Sequence, residues 1–481
     1  MRRTLLLAVL VTGMGCATST PEERTLYETV SALGGGDRLF SVNGLVLEGE
    51  GTNWNVGQDM TIDATGQTFA VTGYRRTIDL GKGRMLVQQT RTPNFLYFQG
   101  QSPQQQLFGL DGDVAYSAST SGNATRGNAQ AVRDRTAELY HHPVVLVRAA
   151  LGGQARLGNL RTEGGERLLD ITVGNGSTFT MAADAATHVP TRVRSASYHP
   201  NLGDVTVETT FADYTEVSGL RLPQRLATTI DRFKSAEYRL SRASVPADLE
   251  DIAAPAAVRD AAPPAPAPIT VTADVIAPGV WLLGGQSHHS ALVEFADHLV
   301  LIEAPQSEAR TLAVIAKARE VVPGKPLTHL VSSHFHFDHS AGLRAAVAEG
   351  LTVITHEANA AYYKEAAARP HTRQPDSLAR APKAATIEGV GDARVLEDKS
   401  RRVELYHISG NPHADTLLMA YLPRERVLIE ADAFSPGGTV HPYAANLLQN
   451  IRTRKLRVDR IVPLHGAVVS FDALVKAVPA S

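Results

Sequence analysis

The sequence has almost no cysteine and little net charge, and each of these absences argues against a class of protein. Its 481 residues include one cysteine, Cys16, so no disulfide framework holds the mature fold together. The 47 basic and 49 acidic residues give a net charge of −2, which argues against the basic surface of a nucleic-acid-binding protein and against a polybasic membrane surface. With 43% hydrophobic and 20% charged residues, the composition is that of an ordinary folded protein, and the length predicts two domains.

The first sixteen residues are typical of an export signal. Arg2 and Arg3 precede a short apolar run, Leu5 to Val11, which is too short to span a bilayer. Two interpretations of Cys16 remain open. In one, GMGC resembles a bacterial lipobox and Cys16 is lipidated and anchors the mature chain to a membrane; in the other, a signal peptidase cuts near Ala17. Both predict an exported protein, either periplasmic or anchored at the outer membrane.

A spacer divides the remaining chain. Residues 251–268, DIAAPAAVRDAAPPAPAP, contain thirteen Ala or Pro residues, a composition that cannot build a core. We therefore predict a β-rich domain over residues 21–250 and a second domain over residues 269–481. In the first domain, the spacing of apolar residues predicts a helix after Thr20, a second helix at Pro143 to Leu151, and a hairpin around residues 174–176. We predict that His141 and His142 form a solvated loop pair and not a ligand pair.

The β-rich domain resembles a known carrier fold in two stretches, ALGGGDRLFSVNGLVLEGEG and GDVTVETTFADYTEVSGLRLP. They are similar to the periplasmic lipoprotein-carrier family. This resemblance implies a half-barrel-like antiparallel sheet that wraps a helix and can hold a hydrophobic ligand. It rests on strand pattern and turns, because the domain carries no cluster of reactive side chains.

The second domain alternates strands and helices, which predicts an α/β layered fold. Helices are expected at Ser307 to Val321 and at Ser340 to Glu349. Between them, the strand THLVSSH leads into the run HFHFDH, which contains His334, His336, Asp338 and His339. Loops at strand ends are where α/β folds hold their sites.

The spacing within this run favours metal binding. His334 and His336 are two residues apart, so their rings point the same way in an extended segment, whereas Asp338 and His339 follow where the chain turns. One run can therefore serve two metal ions. Zinc takes about four ligands per ion. Further donors follow predicted strands at His413 in SGNPHADT, Asp432 in RVLIEAD and His465 in IVPLHG.

The order H-x-H-x-D-H, His, Asp, His resembles the metallo-β-lactamase superfamily over residues 269–481. The resemblance implies an αββα sandwich with two zinc ions. The implied first zinc site is His334, His336 and His413; the second is Asp338, His339 and His465; and Asp432 bridges both. Asp338 would also be catalytic, orienting a metal-bridging hydroxide and accepting a proton.

Two positions narrow the implied chemistry. His336 stands where relatives with a di-iron centre usually carry Glu, which favours zinc and hydrolysis, with iron or manganese as alternatives. Asp432 stands where the best-known β-lactamases carry Cys. We therefore predict an enzyme that hydrolyses a small ester, lactone, thioester or lactam. The alternatives are a lipid or lipoprotein carrier and a metal-stabilised binding module without turnover. His288, His289, His356, His441 and Tyr443 are weaker candidates for contacts near the site.

Overall fold

The computed structural model describes residues 19–96, 100–119, 122–153, 155–437 and 442–478, so the predicted signal and Cys16 lie outside the described residues. The helices are α1 (Pro21–Ala32), α2 (Gly36–Ser41), α3 (Ala129–Tyr140), α4 (Pro143–Leu151), α5 (Ala256–Arg259), α6 (Glu308–Val321), α7 (Phe337–Ser340), α8 (Leu343–Ala348), α9 (Ala360–Ala368), α10 (Ser377–Arg380), α11 (Pro442–Thr453) and α12 (Phe471–Ala477), with a 3₁₀ turn at Glu357–Asn359. Among the described residues, no helix combines the length and the apolar character needed to cross a membrane.

The described part of the N-terminal domain has fifteen strands: β1 (Gly44–Trp54), β2 (Thr68–Asp79), β3 (Arg84–Pro93), β4 (Gln104–Asp111), β5 (Val114–Ala118), β6 (Ala124–Arg126), β7 (Arg156–Glu163), β8 (Glu166–Thr172), β9 (Thr178–Asp184), β10 (Pro190–His199), β11 (Gly203–Ala212), β12 (Thr215–Val217), β13 (Leu220–Leu222), β14 (Arg225–Ile230) and β15 (Phe233–Ser244). β12 and β13 form a separate hairpin. The other thirteen form one antiparallel sheet in the order β6-β5-β4-β3-β2-β1-β15-β14-β11-β10-β9-β8-β7. The prediction of a β-rich domain is confirmed, and the resemblance to carrier proteins stays a prediction.

Helices α1 to α4 pack on one face of this sheet. Leu26 and Val30 of α1 and Leu146 of α4 share a buried cluster with strand residues such as Leu45 and Ile171. The predicted start of α1 is present as a capping box, in which Thr20 and Glu23 bond each other's backbone nitrogens. α4 and the β8–β9 hairpin also lie where the sequence pattern places them.

The C-terminal domain contains two further sheets. The first, in chain order, has β16 (Asp274–Ala277), β17 (Val280–Leu283), β18 (Ser290–Glu294), β19 (Leu299–Ile302), β20 (Leu327–Val331), β21 (Thr352–His356) and β22 (Ile387–Val390). The second has β23 (Ala393–Glu397), β24 (Arg402–His407), β25 (Leu418–Leu422), β26 (Val427–Glu430), β27 (Arg460–Pro463) and β28 (Val469–Ser470). The strands from β19 to β22 are parallel, as are β26 and β27.

Alternate residues of these strands face opposite ways, so each sheet has an inner and an outer face. The inner faces meet in one apolar cluster that includes Val300 and Ile354 from the first sheet and Leu405 and Ile429 from the second. Helices α6, α8 and α9 cover the outer face of the first sheet, and α11 and α12 cover that of the second. The domain is therefore an αββα sandwich, as the resemblance implied.

The two domains share part of their core. Leu202, Val205 and Phe233 of the N-terminal domain belong to the same buried cluster as Phe335 and Phe337 beside the histidine motif. Polar contacts continue this interface: Arg369 donates to the carbonyl of Leu202 and pairs with Asp231, and Arg232 pairs with both Asp63 and Glu365 at 2.7 Å. The structure therefore joins the domains over a packed surface as well as through the chain between them.

Three sequence expectations need correction. Ile252, Ala254 and Val258, in the predicted spacer, are buried, and Ala254 and Val258 pack against Val114 and Tyr116 of the N-terminal domain. The helix expected at Ser340 to Glu349 is shorter: α8 covers Leu343–Ala348 and Ser340 ends the separate turn α7, because the Gly342 nitrogen donates to the Ala304 carbonyl and not to a carbonyl of the preceding turn. His141 and His142 are buried between α3 and α4, not solvated.

Candidate metal centre

The seven predicted metal ligands follow the carboxyl ends of four strands. His334, His336, Asp338 and His339 come after β20, His413 after β24, Asp432 after β26 and His465 after β27. Because β26 and β27 are parallel, Asp432 and His465 emerge at the same edge of the second sheet. A hydrogen bond from the Leu418 nitrogen to the Ser333 carbonyl ties that sheet to the histidine run. The structure brings all seven side chains together at this edge.

A first group of donors comprises His334, His336, His413 and Asp432, whose potential ligand atoms lie within 4.8 Å of one another. His334 Nε2, His336 Nδ1 and His413 Nε2 are buried and make no hydrogen bond among the described residues, although His413 Nε2 lies 2.9 Å from the Asp432 carboxylate. Buried polar atoms are nearly always paired in proteins. Three unpaired nitrogens in one group therefore fit a cation bound between them.

A second group contains Asp338, His339 and His465 together with His288, again within 4.8 Å. Asp432 lies between the two groups. Its Oδ2 atom is 2.9 Å from His413 Nε2 and 3.0 Å from His339 Nε2, and its Oδ1 atom is 2.9 Å from His465 Nε2. This is the position expected of a carboxylate that bridges two metal ions.

In three of the histidine rings, the nitrogen that points away from the cluster contacts another part of the domain. His339 Nδ1 lies 3.1 Å from Glu303 Oε2, His334 Nδ1 is 2.9 Å from Ser333 Oγ, and His465 Nδ1 is 3.0 Å from the Ser287 carbonyl. Such partners fix the ring orientation and the tautomer, so that the remaining nitrogen is available to a metal. Here the remaining nitrogen is Nε2 in all three rings, and it faces the cluster.

Burial keeps the His334 and His336 imidazoles neutral. Burial, followed by the charge of neighbouring histidines, lowers the pKa of His334 well below its ordinary value and that of His336 to about 3. Burial alone would lower the pKa of His339, but the carboxylates of Asp432 and Asp338 raise it. For Asp338 and Asp432, burial opposes ionisation, but the charge of His339 lowers both pKa values. Neutral imidazoles and ionised carboxylates are the forms that bind metals.

Two carboxylates at the cluster lie on left-handed backbone. Asp432 has a φ of 61° and Glu303 a φ of 79°, a region that residues other than glycine rarely adopt. Such strained positions concentrate at functional sites.

The weaker candidates separate into two sets. His288 joins the second group, with Nε2 3.2 Å from Asp338 Oδ2, and the Tyr443 ring lies 5.2 Å from that of His413. His289 belongs to no metal-ligand group among the described residues, and His356 instead caps the 3₁₀ turn, where its Nδ1 accepts from the Ala358 nitrogen. His441 lies outside the described residues.

Three groups near the cluster carried no sequence signal that we used. Glu303, at the end of the apolar run LVLIE, is fully buried. A carboxylate at the end of so apolar a run could have indicated a residue of the site. Gln58 and Asp59 come from the N-terminal domain and lie at Asp338 and His336. The sequence around Gln58 and Asp59 contains no pattern that would predict contact with a metal ligand.

Comparison with known proteins gives one family. Residues 283–475 match the model of the metallo-beta-lactamase superfamily. Among solved structures, the DIM-1 metallo-beta-lactamase is 15% identical, covering 44% of this chain and 95% of its own, with a TM-score of 0.34. A metallo-beta-lactamase from Pontibacter korlensis is 18% identical, covering 43% and 96%, with a TM-score of 0.34. One from Hirschia baltica is 16% identical, covering 43% and 95%, with a TM-score of 0.33.

The sandwich and its donor cluster define a metal-binding fold that many metal-dependent hydrolases share. Within the chain, residues 283–475 form a metallo-beta-lactamase superfamily domain. The superfamily typically binds metal ions, and it also has members that do not hydrolyse their substrates. The family model does not extend into the N-terminal domain.

Proposed function

We propose that this protein is an exported hydrolase with two zinc ions, acting on a small ester, lactone, thioester or lactam. The observation that carries the proposal is the position of Asp432 within 3.0 Å of donors from both groups. A carboxylate shared in this way serves two ions held close together, which is the arrangement of dinuclear hydrolases.

The donor set suits zinc. It consists of imidazole nitrogens and carboxylate oxygens, which zinc accepts in a tetrahedral shell. His334, His336 and His413 would hold one ion, Asp338, His339 and His465 the other, and Asp432 both. When bound, such ions polarise a substrate carbonyl and lower the pKa of coordinated water towards neutrality.

The exposure of the donor side chains favours a catalytic metal site over a purely structural one. Catalytic zinc sites keep an open position, whereas structural sites are closed. The His334 and His339 side chains are fully buried, but the side chain of Asp338 is 40% exposed and that of His465 is 23% exposed. Substrate would therefore approach from the side of Asp338 and His465.

Asp338 is the candidate for proton transfer. Its pKa is held below the ordinary value by His339 and by hydrogen bonds from His288 and Gln58, even though burial acts in the opposite direction. Asp338 is therefore ionised at neutral pH and can accept a proton from the attacking water. His288, whose Nε2 contacts the exposed carboxylate, would help to orient it.

The test is hydrolysis by the purified full chain of a panel of lactones, thioesters, simple esters and the lactam nitrocefin, with and without chelator. We expect turnover on at least one class, loss on chelation and recovery when zinc is restored. The variant His336→Ala should lose turnover. Full activity in that variant, or binding of less than one metal equivalent by the wild-type chain, contradicts the proposal. Two bound equivalents with no turnover on any class favour the binding-module alternative.

A second candidate function concerns the N-terminal domain. A cavity of about 260 Å³ lies between α3 and the sheet. Apolar and aromatic side chains such as Tyr74, Leu226 and Tyr238 line one part of it, and charged side chains, Arg76 and Glu138 among them, line another. This observation favours a hydrophobic ligand there, as in the carrier alternative. Lipid extraction of the purified chain followed by mass spectrometry tests it. A bound acyl lipid supports a carrier role, and lipid-free protein that also fails to bind a fluorescent fatty acid contradicts it.

Export and anchoring are proposed from residues 1–16 alone. If Cys16 is lipidated, cells fed labelled palmitate should incorporate label into the wild-type protein and not into Cys16→Ser. Unlabelled protein that is recovered in the periplasm would support cleavage near Ala17 instead. Unprocessed protein in the cytoplasm would contradict export.

A further inference from the structure

A loop of the N-terminal domain crosses to the metal centre. It comprises residues 55–67, between β1 and β2, and we call it the crossing loop. The Gly57 carbonyl accepts a hydrogen bond from the Phe337 nitrogen at 3.1 Å, and the Met60 carbonyl accepts one from the Asp415 nitrogen at 3.0 Å. The loop therefore attaches to two of the three segments that carry ligands of the first group, the histidine run and the segment around His413.

The crossing loop is held in one conformation. The Asp59 carboxylate is buried and accepts from the nitrogens of Met60, at 2.6 Å, and Gln67, at 2.8 Å. Val56 and Ile62 pack against the core that the two domains share. Buried hydrogen bonds and apolar contacts of this kind make the loop a rigid part of the site.

Two groups of the loop touch predicted metal ligands. The Asp59 carbonyl lies 2.9 Å from His336 Nε2. Because a carbonyl can only accept, Nε2 carries the hydrogen, and Nδ1 presents its lone pair to the cluster. The Gln58 amide donates to Asp338 Oδ1 at 2.6 Å, which leaves Oδ2 on the side of His288 and His339.

We propose that the crossing loop completes the metal centre, with Gln58 and the Asp59 carbonyl as positioning groups for Asp338 and His336. This inference rests on the proposed function, in which those residues bind metal. Gln58 fixes which carboxylate oxygen of Asp338 is free for the second ion, and the Asp59 carbonyl fixes the tautomer of His336 for the first. Both groups lie outside residues 283–475, so the superfamily domain alone lacks them.

Gly57 provides a way to displace the loop. It has a φ of 72°, and a Cβ atom there would lie 2.3 Å from the Phe337 ring. Gly57→Ala must therefore displace either the loop or the Phe337 ring of the histidine run. Gly66, in the same loop, has open space around its Cβ position, so Gly66→Ala is a matched control. For Gln58→Leu, the matched control is Gln105→Leu at an exposed position of β4.

The experiment is titration of the metal-free full chain with cobalt(II), followed by visible absorption and calorimetry. Loss of a group that orients a metal ligand typically weakens metal binding about 10- to 100-fold. We expect Gln58→Leu to weaken binding of the second equivalent by that factor and to leave the first within about twofold. Gly57→Ala should weaken both equivalents, and both controls should match the wild type.

The outcomes separate this proposal from the proposed function. If the wild type binds two equivalents and Gln58→Leu binds both with wild-type affinity and spectrum, the role of the crossing loop is wrong and the hydrolase proposal stands. Less than one equivalent on the wild type overturns both. Circular dichroism checks the fold of each variant, and Gln58→Leu decides the matter if Gly57→Ala does not fold.

Discussion

Two pairs of buried histidines in this molecule have similar surroundings but different roles. His141 and His142 lie in the N-terminal domain, and His334 and His336 begin the donor cluster. All four are buried, and burial lowers the pKa of His141, His142 and His336 to about 3. Burial and neutrality therefore do not distinguish a metal ligand from a histidine that belongs to a core.

The partners of the ring nitrogens make the difference. His141 bonds Thr209 Oγ1 at 2.9 Å and Ser195 Oγ at 2.8 Å. Neither nitrogen of His142 has a partner among the described residues, yet His142 belongs to no group of potential metal ligands there. Two unpaired nitrogens on one isolated ring are therefore only a local cost in stability. Three that converge with a carboxylate, as at His334, His336 and His413, indicate a cation site.

The largest effect should follow from removing the shared carboxylate. Changes next to metal ligands typically cost 10- to 100-fold, so Asp432→Ala should lower turnover by more than about 100-fold. Metal analysis should show fewer than two equivalents. Asp459→Ala, an exposed ion-pair residue of the same domain, serves as the control and should keep both. If Asp432→Ala keeps two metal equivalents, convergence with a carboxylate does not distinguish a metal ligand from an isolated buried histidine.

The second effect concerns stability in the N-terminal domain. His141→Leu leaves the buried Ser195 hydroxyl without its partner and the Thr209 hydroxyl with Thr228 alone, which should lower the free energy of unfolding by about 2 kcal/mol. His142→Leu removes nitrogens that have no partner and should change the free energy of unfolding by less than about 1 kcal/mol at pH 7. Urea unfolding measures both, and metal binding should be unchanged. A greater loss in His142→Leu than in His141→Leu would show that His142 has a partner.

A smaller effect should appear in the pH dependence of stability. Burial and the charge of Arg76 lower the pKa of His142 to about 3, whereas an unfolded histidine titrates near pH 6.5. The unfolded state therefore binds the proton first, and the wild type loses stability as the pH falls from about 6.5 towards 3. His142→Leu lacks this loss, so its stability relative to the wild type should rise by about 1 kcal/mol between pH 6.5 and 5.5. No change across this interval would contradict the depressed pKa.

The smallest effect should come from His356. Its Nδ1 caps a 3₁₀ turn, and its ring lies 4.5 Å from that of His407, away from the donor groups. His356→Ala should cost about 0.5 kcal/mol of stability, the lower range for loss of a cap. Turnover should stay within twofold of the wild type. A large loss of turnover would instead indicate that His356 supports the metal ligands.

The sequence predicted the residues of the metal cluster better than it predicted the residues that surround them. The order and spacing of His334 to His465 predicted which side chains come together, because each follows a strand whose apolar pattern is clear. Gln58 and Asp59 were missed because they lie more than 200 residues upstream and their types carry no metal signal. The break at Gly342 was missed because it depends on a hydrogen bond from the Gly342 nitrogen to the distant Ala304 carbonyl, which a local pattern does not report. The burial of His141 and His142 likewise depends on packing between helices that a local pattern does not report.

The apolar cluster common to both domains has a consequence during synthesis. When the ribosome has completed β15, Leu202, Val205 and Phe233 lack most of their cover, because their partners around Phe335 and Tyr363 are still untranslated. At about 5 to 20 residues per second, that exposure lasts on the order of 10 s. A nascent chain of this kind is expected to depend on a chaperone until its second half has emerged.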